Sequence, residues 1–157
     1  MAAARDPNTN DLVTSPQGKT GNVFIDYTTE KLLDILDRVT KKIGSRPDLD
    51  PAGYGMLVHE EFAQEVKAAG LHGIAPDDVE RTFGVTPNAS RGAKDSVRPD
   101  AILRDDDGNI IAIYDVKTGA GFSKITIIKY RQRTGSDAYV PLFELRPRGV
   151  SVWKNLQ

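Results

Sequence analysis

No cysteine occurs in this 157-residue chain, which excludes disulfides and thiolate metal sites and frees stability from the redox state of the surroundings. Only two histidines are present, His59 and His72. They form no His-x-x-x-His pair, so zinc hydrolase chemistry is disfavoured, and without cysteine or a Gly-x-Ser-x-Gly elbow no ready covalent nucleophile is in view. No apolar run approaches the eighteen or so residues of a membrane span, and the opening Met1-Ala2-Ala3-Ala4-Arg5-Asp6 has no signal-peptide core. With 39% hydrophobic and 27% charged residues, the expectation is a soluble globular domain built around one core.

The residues that carry chemistry lie between 98 and 119. Arg98-Pro99-Asp100-Ala101-Ile102-Leu103 and Ile110-Ile111-Ala112-Ile113-Tyr114-Asp115-Val116-Lys117 read as two apolar strands joined at Asp107-Gly108, a dipeptide suited to a tight hairpin turn. A two-residue turn there pairs Asp106 with Asn109, Leu103 with Ala112 and Asp100 with Asp115. Cross-strand neighbours have Cβ atoms roughly 4.5–5.5 Å apart, and like charges so placed repel unless neutralised. A divalent cation answers that need, since Mg²⁺ commonly takes one or two carboxylates and keeps its other positions for water and phosphate. Lys117 shares a strand face with Asp115.

Pro99-Asp100 followed by Asp115-Val116-Lys117 resembles the signature of the PD-(D/E)xK nuclease superfamily. The resemblance implies a restriction-endonuclease-like fold, a central mixed β-sheet flanked by helices. It implies that Asp100 and Asp115 bind Mg²⁺ or Mn²⁺ and that Lys117 orients or deprotonates the attacking water. The superfamily commonly draws one more acidic residue from a preceding helix, which puts Glu61 among the catalytic and metal-binding residues, with Glu60 as the alternative. Taken together, Gly53-Tyr54-Gly55, Val58 to Ala63, Ser96 to Asp100, Tyr114 to Gly119 and Val140 to Leu145 resemble nuclease domains at the C-termini of bacterial polymorphic toxins. Those domains are carried by contact-dependent inhibition, Rhs or type VI secretion proteins and are paired with an immunity protein. That likeness implies a delivered toxin acting in the target-cell cytoplasm.

Net charge is −1, but its distribution is uneven. Residues 117–157 hold Lys117, Lys124, Lys129, Arg131, Arg133, Arg146, Arg148 and Lys154 against Asp137 and Glu144, a balance of +6 that leaves −7 for the first 116 residues. Such a segment after the Asp-x-Lys strand suits either a phosphate-binding wall or a solvated helix face. Residues 1–22, poor in apolar side chains, read as a flexible lead-in to a single domain over 23–157 whose helical part spans 28–69. Thr28-Thr29 precede an amphipathic helix through Ile43 with Leu32, Leu36, Val39 and Ile43 on one stripe. Asp50-Pro51 then cap a second helix, Ala52–Ala69, closed by Gly70. Val58, Phe62 and Val66 form its apolar stripe. His59 borders it, and either hydrogen-bonds into the site or packs and faces water as lone helical histidines commonly do.

Alternation over residues 79–85 predicts a first strand, although Pro76-Asp77-Asp78 suits the start of a short helix equally well. The loop over 86–97 leads into Asp100 and makes Arg91, Lys94 and Arg98 candidate phosphate clamps. Thr118, Lys124, Lys129, Arg131 and Gln132 complete the expected nucleic-acid contacts, the last four on a helix over Lys124–Thr134 capped by Ser123. Tyr139–Leu145 reads as a strand that Pro141 starts or confines to an edge. Three functions follow: a metal-dependent DNase toxin, an RNase on the same fold, or an inert nucleic-acid-binding module. The presence of Asp100, Asp115 and Lys117 together argues against the third.

Overall fold

The computed structural model of the protein describes residues 11–13, 19–147 and 149–154. These form a mixed α/β domain in the order β1 (Asp11–Val13), α1 (Val23–Ile43), α2 (Pro51–Ala69), a 3-10 turn (Pro76–Asp78), β2 (Ala101–Arg104), β3 (Ile110–Val116), α3 (Lys124–Thr134), β4 (Leu142–Arg146) and β5 (Gly149–Lys154). The sheet runs β1-β5-β4-β3-β2. All neighbours are antiparallel except β3 and β4, which are parallel and joined through α3. Among the described residues no helix is long and apolar enough to cross a membrane.

Both faces of the sheet are covered, which explains why β3 reads as a continuous apolar run rather than an alternation. Ala112, Tyr114 and Val116 of β3 pack with Phe143 and Leu145 of β4 against Leu32, Leu36 and Val39 of α1 and Val58 and Phe62 of α2. Ile113, with Ile102 and Leu142, faces the other way onto Phe122, Ile127 and Tyr130 around α3. Tyr114 ties the first layer together. Its ring stacks on Phe143 at 4.7 Å and its hydroxyl lies 2.8 Å from Thr29 Oγ1.

Several local expectations hold and several shift. Asp50 caps α2 through Gly53 N at 2.7 Å, Gly70 ends it in the left-handed region, and Ser123 caps α3. The first helix begins five residues earlier than Thr28, with Asn22 as its cap. Thr28 and Thr29 serve inside the helix, their hydroxyls donating to the carbonyls of Phe24 and Ile25. The lead-in is not wholly without structure, since residues 11–13 form β1 and pair with β5; residues 1–10 and 14–18 lie outside the described residues. Pro141 immediately precedes β4, which is an interior strand.

The expected strand over 79–85 is absent. Only isolated bridges remain, Val79 to Ala101 and Phe83 to Val97. Glu80 between them is left-handed (φ 56°), a conformation that breaks a ladder and costs a non-glycine residue about 1 kcal/mol or more.

The hairpin keeps its predicted register from Leu103 back toward Asp100 but not at the turn, where Asp105 rather than Asp106 meets Asn109. Its tight turn spans Asp105–Gly108, with Gly108 N donating to Asp105 O and Gly108 at φ 85°, and a bulge between Leu103 and Arg104 absorbs the extra residue. Leu103 therefore still faces Ala112 and Ala101 faces Tyr114, which sets Asp100 beside Asp115.

One buried ion cluster fixes this hairpin to the turn before it. Asp78, 3% exposed, meets Arg104 Nε at 2.8 Å and Nη2 at 3.3 Å, and Arg81 Nη1 at 3.3 Å. Asp78→Ala takes the carboxylate from the partly buried Arg104 guanidinium, while Arg81, half exposed, keeps its water. We expect it to lower unfolding free energy by roughly 3 kcal/mol, the lower end for a broken buried pair because Arg104 keeps some solvent. Urea denaturation measures this, and a loss under about 1 kcal/mol would show the cluster to be ornamental.

Candidate active site

Asp100 and Asp115 meet at the open end of the hairpin, 3% and 5% exposed. Asp100 enters just before β2, where its backbone N–H donates to the Tyr114 carbonyl, and its Oδ2 accepts the Val116 N–H at 2.7 Å. His59 Nδ1 lies 2.7 Å from its Oδ1. Asp115 Oδ2 takes Lys117 Nζ at 2.8 Å and the Tyr130 hydroxyl at 3.2 Å. Each carboxylate thus has two partners from outside the pair, His59 and the Val116 N–H for Asp100, Lys117 and Tyr130 for Asp115.

The electrostatics follow from burial. Loss of water, then the negative charge and hydrogen bonding of Asp100, push the Asp115 carboxyl up to about 8, and Lys117 only partly opposes this. The hydrogen bond to Asp100 raises His59. Burial, with the charges of Asp115 and Asp100, pushes the Tyr130 phenol well above its ordinary value, so it stays a donor. Two carboxylates buried side by side repel each other, and the proton that Asp115 is inclined to hold relieves that repulsion.

The pair opens into a cleft of about 400 Å³ whose lining includes Gly55, His59, Glu60, Glu80, Arg91, Arg98 and Thr118. A larger hollow of about 600 Å³ runs along α1 and β5 past Glu30, Asp34 and Asp37. It holds none of the candidate residues, which gather at the smaller cleft. Gly55 lets α2 approach the exit of β3, since a Cβ there would stand 2.9 Å from Thr118 Oγ1.

Asp100, Asp115, Lys117, Arg91, Arg98 and Thr118 are therefore brought together as expected. Glu61 is not. It lies on the α1 side of α2 with Oε2 3.3 Å from Lys42 Nζ, while Glu60 lines the cleft. Helical geometry explains the correction: positions 52, 55, 56 and 59 share the cleft-facing side, and Glu61 sits about 200° around from His59. His59 takes the place expected for Glu61. The signal that marks it is its four-residue step from Gly55, the position where the helix must come closest.

The basic wall also differs from expectation. Among the described residues lining the cleft, Lys94, Lys124, Lys129, Arg131 and Gln132 do not appear. Lys129 Nζ lies 4.0 Å from Asp95 Oδ1, Arg133 donates to the Asp95 carbonyl, and Arg146 to the Gly119 carbonyl. Arg131 turns inward, with Nη2 donating to the Trp153 carbonyl while its buried Nε and Nη1 have no partner, nor does Trp153 Nε1. Burial lowers it to about 10. Because an unpaired buried donor costs roughly 1–3 kcal/mol, Arg131→Met should stabilise the fold by about 1–2 kcal/mol and raise the melting temperature a few degrees. A lower melting temperature would show that the guanidinium has a partner it needs.

For a divalent cation, the donors at hand are the carboxylates of Asp100 and Asp115, with His59 beside them. Among the described residues no set of three or more His, Asp or Glu side chains is arranged as a ligand group. Two carboxylates nonetheless fit Mg²⁺ or Mn²⁺, which complete their shells with water and substrate oxygen. No known family model, curated protein or solved structure matches the chain.

Proposed function

We propose that this protein is a metal-dependent phosphodiester hydrolase, an endonuclease of the restriction-endonuclease-like class, with DNA as the favoured substrate. One observation carries the reading: two carboxylates buried side by side on adjacent strands, with a lysine ammonium 2.8 Å from the second. Burial of that much like charge is expensive and is offset by a cation bound between the pair and the substrate. The β2–β3 hairpin, the crossover through α3 and the parallel strand β4 support the fold assignment.

In this reading Asp100 and Asp115 hold Mg²⁺ or Mn²⁺, which when bound polarises a phosphoryl oxygen and acidifies a water. His59 fixes Asp100. Lys117, at the same carboxylate edge, steadies charge that develops on the phosphate. Arg91, Arg98 and Thr118 bind the phosphate backbone from the cleft walls. No covalent intermediate is required. The test is incubation of purified protein with plasmid DNA and with total RNA in Mg²⁺, Mn²⁺ or EDTA. Metal-dependent nicking of plasmid that Asp100→Ala abolishes supports the reading. Cleavage of RNA alone moves the substrate to RNA, and cleavage of neither overturns the enzymatic reading in favour of a binding module.

The likeness to toxin domains adds a biological proposal: a cognate immunity protein covers the cleft in the producing cell. Growth arrest on bacterial expression, relieved by Asp115→Ala, supports it, whereas healthy growth with soluble wild-type protein present removes the toxin proposal and leaves the chemistry.

A further inference from the structure

Two side chains of β4 hold down the loop that joins β3 to α3. Glu144, 5% exposed, stands in register with Asp115 on the neighbouring strand and accepts the Phe122 N–H. Arg146 donates from Nη1 to the Gly119 carbonyl at 2.7 Å and keeps Nη2 3.9 Å from Glu144. The loop passes so close that a Cβ on Gly121 would lie 2.6 Å from Glu144 Oε1. It delivers the ring of Phe122, whose centroid is 4.2 Å from Lys117 Nζ and 5.1 Å from the Tyr130 ring, edge to face. Tyr130 and Lys117 then converge on one oxygen, Asp115 Oδ2.

A buried carboxylate one strand away from Asp115 adds negative charge where there is already an excess. An apolar residue would fill the position at lower cost. The contacts show what Glu144 does there: it sets the loop by its hydrogen bond to Phe122. An aromatic face attracts an ammonium by about 0.5–2 kcal/mol. That is comparable with the roughly 2 kcal/mol of rotamer freedom a lysine side chain carries, so the ring is able to select one orientation for it.

We propose that Phe122 and Glu144 are positioning residues for Lys117: Glu144 places the loop, the loop places the ring, and the ring face directs the ammonium onto Asp115. The inference rests on the nuclease reading only for what Lys117 then does; the positioning itself is readable without turnover.

Acylation of Lys117 by an N-hydroxysuccinimide acetate, quantified by mass spectrometry of digested protein, reports how firmly the amine is held. Phe122→Leu keeps an apolar side chain but no ring face, and should raise Lys117 labelling by about two- to thirtyfold, the factor that corresponds to the lost attraction. Glu144→Ala should do the same. Glu144→Gln retains an acceptor for the Phe122 N–H and should return labelling close to wild type. In steady-state cleavage, Phe122→Leu should lower kcat by a similar factor with KM unchanged. Unchanged labelling in a folded Phe122→Leu protein overturns the proposal, and raised labelling with unchanged kcat overturns the part of it that makes the positioning matter to cleavage. A wild-type chain that cuts no phosphodiester while its Lys117 labelling responds as stated sinks the nuclease reading and leaves the positioning in place. Phe122→Leu and Glu144→Gln carry the test if Glu144→Ala fails to fold.

Discussion

Lys117→Met is expected to lower the rate of phosphodiester cleavage by roughly a hundred- to a thousandfold, the loss typical when one donor to developing charge is removed. Binding should survive. The ammonium lies 2.8 Å from Asp115 and repels any cation approaching that carboxylate, so its removal leaves affinity for Mn²⁺ unchanged or greater by calorimetry. Affinity for a DNA duplex in EDTA should stay within a few-fold, because one charge among Arg91, Arg98 and the rest of the surface contributes little to attachment. Turnover within a few-fold of wild type would make Lys117 a structural counter-ion and nothing more.

The second large effect needs no substrate. In EDTA, the stability of the protein should fall as pH rises from about 4 to about 8. Asp115 keeps its proton up to about 8 when folded, against an ordinary value of 3.8, so across that window the folded state binds more protons than the unfolded chain. Unfolding then becomes easier by up to about 1.4 kcal/mol per pH unit. His59 acts in the same direction. Its folded value is raised by Asp100, so the stability it lends is complete below its ordinary value of 6.5 and fades as pH climbs through the folded one. Asp115→Asn removes the larger part of the slope and should leave a protein that melts higher than wild type at pH 8. Millimolar Mn²⁺ should do the same for the wild-type chain by binding only the folded pair. A melting temperature flat from pH 5 to pH 8 without metal would contradict the burial of this dyad.

How far the sequence could be read depends on whether a feature is local. The facing of Asp100 and Asp115 was legible because Asp-Gly restricts the hairpin to a few turns, and the bulge after Leu103 only changes which of them is used. The caps Asp50 and Ser123 were legible for the same reason. Glu80 hid the loss of the expected first strand: its neighbours alternate as a strand should, and its left-handed backbone goes with tertiary contacts to Asp100, whose carbonyl accepts the Glu80 N–H at 3.0 Å, and to Arg98 at 3.6 Å. His59 and Glu61 differ by two positions on one helix, and which of them meets the dyad is decided by how α2 lies against β3. β5 went unread, since a mixed segment of six residues declares itself only through its partners β4 and β1. The basic tail looked like a surface by count, yet Arg131, Arg133 and Arg146 spend their donors on backbone carbonyls.

The parallel pairing of β3 with β4 bears on the order in which the molecule is completed. Asp100, Asp115 and Lys117 are all synthesised or threaded before residue 118, but β4, which flanks the dyad strand and pins the loop after Lys117, arrives some 25 residues later. Local contacts close quickly and those with long intervening loops close late. A partial chain ending before β4 therefore possesses Asp100, Asp115 and Lys117 but no finished cleft, and a chain emerging end-first from a ribosome or a narrow channel completes the proposed site only when its last strands dock.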